Sequence, residues 1–156
     1  MKGDGQMNTC RWSMMMVTSV ALIGCVPHLP PGYVKVEPSR GCRFRAVSAE
    51  DAAFTLRSEK NPENGDLTFW EKAVKNKLVK VRGYKLADRR ETTLEDTTPG
   101  VELVFDYSRD GSDYTYSVAL FVKGRRVHVF EAAGTKDQMT TDLPEIRNAI
   151  SQWAGL

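Results

Sequence analysis

In a chain of 156 residues, two histidines, three cysteines and five tyrosines have the most chemistry to offer. His128 lies inside the run Arg126-Val127-His128-Val129-Phe130-Glu131, and a histidine there could exchange a proton near neutral pH. Glu131 would be its natural partner. Residues three apart on an extended strand point to opposite faces, so the two cannot form a dyad there. His128 therefore reads as a histidine on a half-exposed strand, sharing its side with Arg126 and Phe130, and Glu131 as the partner of a nearby arginine. Tyr84, Tyr107, Tyr114, Tyr116 and Trp70 could line a groove for a ligand or partner, although aromatics at strand and helix spacing serve a core equally well. Tyr84, Tyr116 and His128 are the candidate binding residues.

Beyond these the chain is poor in catalytic pattern. Cys and His are not spaced as in common zinc sites, and there is no nucleophile elbow, P-loop or glycine-rich dinucleotide turn. No metal, cofactor or catalytic residue is expected. The formal net charge is +2, and removing the first 25 residues leaves the basic groups one ahead of the acidic ones, which is no electrostatic footprint for nucleic acid. Arg40, Arg43, Arg45 and Arg57 gather near the start of the folded part, where they could meet anionic headgroups or simply face water.

The first residues carry their own message. Lys2 and Arg11 precede an uncharged apolar block from Met14 to Ile23, then Gly24 and Cys25. That is the order of a secretory signal, and the block falls short of the about 20 residues that span a bilayer as a helix. Met1 and Met7 are both possible starts. Pro27, Pro30 and Pro31 follow the cysteine and favour an extended tether. With Cys10 and Cys25 in this region, Cys42 is the only thiol of the folded part and reads as a small buried hydrophobe. So few cysteines make no disulfide framework, and the fold must rest on its core.

Those elements can be read by periodicity. Runs at Phe44–Val47 and Phe54–Arg57 suggest paired strands. After Asn61-Pro62-Glu63-Asn64-Gly65, Asp66 is placed to cap a helix whose apolar residues Leu67, Phe69, Trp70, Ala73, Val74 and Leu78 recur at three and four and give it one face to bury, and Gly83 ends it. Tyr84–Arg89, Val101–Tyr107, Tyr114–Val122 and Arg126–Glu131 follow as strands, with Asp110-Gly111 and Lys123-Gly124 as hairpin turns and Ala132-Ala133-Gly134 as the end of the last. The doubly apolar Tyr114–Val122 strand requires cover on both faces. Asp142, Pro144 and Glu145 suggest the start of a final helix buried through Ile146, Ala149, Ile150 and Trp153. The expectation is an α+β fold: a mostly antiparallel sheet of about six strands packed with two main helices.

Leu22-Ile23-Gly24-Cys25 resembles the bacterial lipobox. The resemblance implies that residues 1–24 are a lipoprotein signal peptide, that Cys25 becomes a lipidated first residue, and that residues 25–41 tether a single domain over 42–156. Two or three acyl chains give stable membrane anchoring where one is marginal. Val26, not aspartate, follows the cysteine, which by the sorting habit of enteric lipoproteins implies the outer rather than the inner membrane of the periplasm. Phe69-Trp70, Gly83-Tyr84, Tyr114-Thr115-Tyr116 and Glu131-Ala132-Ala133-Gly134 together resemble a group of bacterial lipoproteins with the fold of photosystem PsbP and the Ran-binding Mog protein. The implied role is non-catalytic: a lipid-anchored binding or assembly module for an envelope protein or wall component. A small-ligand carrier or enzyme using a pocket near His128, and a protective or inhibitory lipoprotein, are the alternatives.

Overall fold

The computed structural model describes residues 29–153 and 156. The leader read over residues 1–24, and Cys25 itself, lie outside them. In chain order the elements are β1 (Tyr33–Lys35), β2 (Cys42–Ser48), β3 (Ala53–Lys60), α1 (Leu67–Asn76), a π turn (Lys77–Val81), β4 (Lys85–Thr93), β5 (Pro99–Arg109), β6 (Ser112–Lys123), β7 (Arg126–Thr135) and α2 (Lys136–Ser151). The strands form one antiparallel sheet in the order β1-β2-β3-β7-β6-β5-β4. This is the expected α+β architecture with a seventh strand, β1.

Alternation along the long strands builds two cores. Val101, Leu103, Phe105, Val118, Leu120, Val127 and Val129 pack on one face, with Leu67, Trp70, Val74 and Leu78 of the α1 region against them. Phe54, Phe121, Phe130 and Ala132 face the other way, where α2 covers them with Met139, Ile146 and Ile150, joined by Trp153 just beyond its end. Strand β6 thus buries both sides, Val118 and Leu120 under α1 and Ala119 and Phe121 under α2. Its doubly apolar sequence requires that arrangement.

Asp66 caps α1 as its position suggests, its Oδ1 accepting from the Phe69 N–H at 2.7 Å, and Gly83 leaves the helical region at φ +72°. At the Asp110-Gly111 turn both residues have positive φ, the requirement of a type I′ hairpin.

Four details differ from the sequence reading. First, the segment assigned to the tether joins the domain early: Pro30 is buried, Leu29 packs on the α2-side core, and Tyr33 pairs with Ser48 while donating its hydroxyl to Asp142 at 2.7 Å. Second, β7 does not stop at Ala132-Ala133-Gly134. Gly134 pairs with Thr115, and a Cβ there would stand 2.9 Å from that of Ala52, so this glycine is a close-packing residue rather than a breaker. Third, α2 starts at Lys136 with Thr135 as its cap. Asp142 holds Tyr33 and Gln138 instead of capping, and Pro144 lies inside the helix. Fourth, Cys42 is half-exposed, because it opens β2 at the bulge between Cys42 and Phe44.

Candidate functional site

No residue of α1 is fully buried. The helix lies over β5 and β6 and leaves the β3 and β7 side of that face uncovered, so a cleft of about 570 Å³ remains between α1 with its π turn and the sheet. That volume is within the range of ligand pockets. Trp70, Val74, Leu78 and Val118 give it an apolar lining, and Tyr84 and Tyr116 close one side.

Trp70 is set in place from below. The buried Asn61 donates to the Gly65 carbonyl and accepts from the Gly65 N–H, both at 2.8 Å. The same amide oxygen takes the Trp70 indole N–H at 3.2 Å. The Asn61–Gly65 loop that punctuates the sequence therefore also orients the ring.

The polar wall comes from three strands. Arg57 on β3 donates through Nε to Glu131 on β7 at 2.8 Å, and Tyr116 on β6 donates its hydroxyl to the other oxygen of Glu131. Arg57 also pairs with Glu59. Burial works against the Arg57 charge, but the hydrogen bonds and charges of Glu131 and Glu59 more than offset it and raise the pKa. The Tyr116 phenol is pushed up, first by burial and then by the adjacent Glu131 carboxylate, so it stays protonated and keeps donating.

With Glu59 and Glu131 both committed to Arg57, the remaining cations of the lining are Lys60, Lys77 and Arg82. Among the described residues none of the three has a carboxylate partner. The cleft is thus an apolar slot with a satisfied polar back wall and a cationic rim, suited to a ligand with an apolar body and an anionic head.

The structure brings Tyr84 and Tyr116 into this cleft and does not bring His128 there. His128 lies on the α2 side of the sheet, paired in register with Ser58 and Phe121. It is 2 % exposed rather than half-exposed, and its Nδ1 has no hydrogen-bond partner among the described residues. Burial lowers its pKa, with help from the charges of Arg43, Arg126 and Lys123, so the ring is neutral at pH 7. A shared pocket of His128 and the tyrosines is ruled out by the sheet between them. Tyr107 and Tyr114 stack with Tyr84 in a row, with centroids 4.4 Å apart for Tyr84–Tyr107 and 5.2 Å for Tyr107–Tyr114, which fixes the Tyr84 side of the cleft.

Glu131 and Arg57, and the rim cations Lys60, Lys77 and Arg82, are site residues that sequence reasoning did not select as binding residues. Glu131 was expected to find an arginine. The parity that separates it from His128 is the same parity that places it with Tyr116.

No protein-family model matches the chain, and no similar sequence is found among curated proteins. Solved structures do share the fold. LpqN, involved in cell envelope biogenesis of Mycobacterium tuberculosis, matches at a TM-score of 0.64 and 17% identity over 81% of this chain and 79% of its own. The Pseudomonas aeruginosa protein PA94, of unknown function, matches at 0.56 and 15% over 80% and 81%. Cyanobacterial PsbP (CyanoP) from Synechocystis sp. PCC 6803 matches at 0.53 and 13% over 79% and 81%. At these identities the likeness is one of fold, and the chain has the PsbP-like α+β fold.

Proposed function

We propose that this chain is a non-catalytic binding protein of the bacterial cell envelope, anchored through a lipid on Cys25, whose cleft under α1 holds an amphipathic anion. The cleft is the observation that carries the reading: an apolar slot whose two acids, Glu59 and Glu131, are both paired with Arg57. It is rimmed by Lys60, Lys77 and Arg82, which have no carboxylate partner among the described residues and outnumber the one negative charge that Arg57 leaves uncompensated. Every polar group of its back wall already has a partner, which suits holding a ligand rather than transferring protons to it. The fold shared with LpqN, a protein of envelope biogenesis, and the lipobox-like Leu22-Ile23-Gly24-Cys25 support the location. Val26 after the cysteine favours the outer membrane.

The binding claim is tested with dansyl-undecanoate, a fluorescent carboxylate on an apolar chain. The full chain should give a saturable rise in emission, and Ala73→Trp, which fills the slot from α1, should abolish it. Saturation unaffected by Ala73→Trp contradicts the assignment. Anchoring is tested by mass spectrometry of the mature amino-terminal peptide, which should carry acyl mass on Cys25. An unmodified terminus at Met1 or Met7 contradicts it.

A further inference from the structure

The segment from Lys72 to Ala87 contains Lys72, Lys75, Lys77, Lys80, Arg82 and Lys85 and no aspartate or glutamate. All six are exposed, and none forms an ion pair among the described residues. Lys72 with Lys75, and Lys77 with Lys80, are three apart on a helical surface, where like charges repel. A chain whose two signs nearly balance has therefore concentrated one sign on one surface, at some cost to the helix.

The same surface carries most of the large apolar residues that the domain leaves in water. Phe69 is 57% exposed, Val79 38%, Val81 76% and Leu86 37%. Along the chain they alternate with cations, as in Val79-Lys80-Val81-Arg82 and Lys85-Leu86. Apolar side chains interspersed with cations on an exposed helical surface fit the interface of an anionic bilayer, where the apolar groups enter the headgroup boundary and the cations meet phosphates. A protein partner would favour a contiguous apolar centre with a polar rim.

The sheet register shows which end of the molecule this is. Tyr33 pairs with Ser48, Ala53 with Ala133, Gly134 with Thr115, Thr115 with Asp106, and Asp106 with Lys85. This row crosses the whole sheet, so the chain enters the domain at the same strand end at which the π turn hands over to β4. Leu29 is already packed against the core, and the four residue steps back to Cys25 reach at most about 14 Å. A lipid on Cys25 would hold this end near the bilayer from the α2 side of the sheet, on which Leu29 packs; it selects the end, and the cations and exposed apolar residues select the α1 face.

We propose that the exposed surface of α1, the π turn and the start of β4 is a docking surface for an anionic membrane. Lys77 and Arg82 belong both to this surface and to the cleft rim, so the mouth of the cleft borders the docking surface. The orientation rests on the anchoring proposed above, whereas the docking test does not depend on it.

The test is vesicle flotation of the full chain carrying Cys25→Ser, with phosphatidylcholine vesicles with and without phosphatidylglycerol. Neutral vesicles report what the apolar Met14–Ile23 block contributes to every variant. Phosphatidylglycerol should increase flotation, and Lys72→Glu with Lys80→Glu and Val81→Asp should weaken that increment about tenfold or more. Arg40→Glu with Arg43→Glu, the same number of charge reversals elsewhere, should leave it nearly unchanged. If the triple variant does not fold, Val81→Asp alone, at the most exposed of these residues, should still lower the increment. The proposal is overturned if phosphatidylglycerol adds nothing, if the surface variants float like the parent, or if the Arg40/Arg43 variant loses as much.

Discussion

Arg57 on β3 and Glu131 on β7 meet at 2.8 Å as a diagonal pair, since Arg57 pairs in register with Val129 and Glu131 with Thr55. Their alternation places both on the α1 face, where Tyr116 completes the arrangement from β6. Three consecutive strands are thereby tied at the back of the cleft. Removing Glu131 leaves the phenol without its acceptor and the Arg57 guanidinium with Glu59 alone, whereas removing the Tyr116 hydroxyl leaves the ion pair intact. Glu131→Ala should cost about 1–3 kcal/mol in urea unfolding and Tyr116→Phe about 1 kcal/mol.

The same phenol gives an alkaline signature. Its folded pKa is raised by burial and by Glu131, and that of Tyr33 by burial and by Asp142. An unfolded tyrosine loses its proton near pH 10 while these two keep theirs, so the unfolded state is favoured as pH rises past that value. Their stabilising contribution is fully present below about pH 10 and is lost above it. Urea midpoints measured on both sides of that pH should fall on the alkaline side, and Tyr116→Phe should flatten the fall.

Gly100 is set against the core of the opposite face. A Cβ there would stand 2.3 Å from the Phe121 ring and 2.7 Å from the Leu120 carbonyl oxygen, and Phe121 is fully buried among Phe130 and its neighbours. The ring cannot retreat without repacking that core. Gly100→Ala should destabilise by about 1–3 kcal/mol, visible as a lowered melting temperature.

Arg147 of α2 donates to Glu102 Oε2 at 2.8 Å, and Ser117 donates to the other oxygen at 2.8 Å. Glu102 is 2 % exposed. Arg147→Ala would leave the buried carboxylate with Ser117 and only the more distant Arg90, at 3.8 Å, and should cost about 1–3 kcal/mol. Adding Glu102→Gln to Arg147→Ala should recover part of that loss, which double-mutant unfolding would measure.

Local chemistry made much of the fold legible: the Asp66 cap, the Asp110-Gly111 hairpin and the two-sided apolar pattern of β6 each specify their element without help from distant residues. The misread junction between β7 and α2 depends on such help. Gly134 lies in a strand because Ala52 crowds it, and Asp142 is occupied by Tyr33 more than a hundred positions away in sequence. The cleft was hidden for a related reason. Trp70, Val74 and Leu78 form an ordinary core-facing stripe, and only the docking of α1 over β5 and β6 shows that the stripe stays half-covered. Parity along a strand could separate His128 from Glu131, but the identity of Arg57 as the latter's partner required the β3–β7 register.

Whether the slot under α1 holds a ligand is read most directly from backbone amide resonances of the full chain titrated with dodecyl phosphate, an anionic head on an apolar chain. The account predicts saturable shifts concentrated at Trp70, Val74, Leu78, Tyr116 and Val118, with the Trp70 indole N–H among the largest and the α2-face residues Phe130 and Ile146 unmoved. Shifts spread over both faces of the sheet, or none at the cleft, would contradict it.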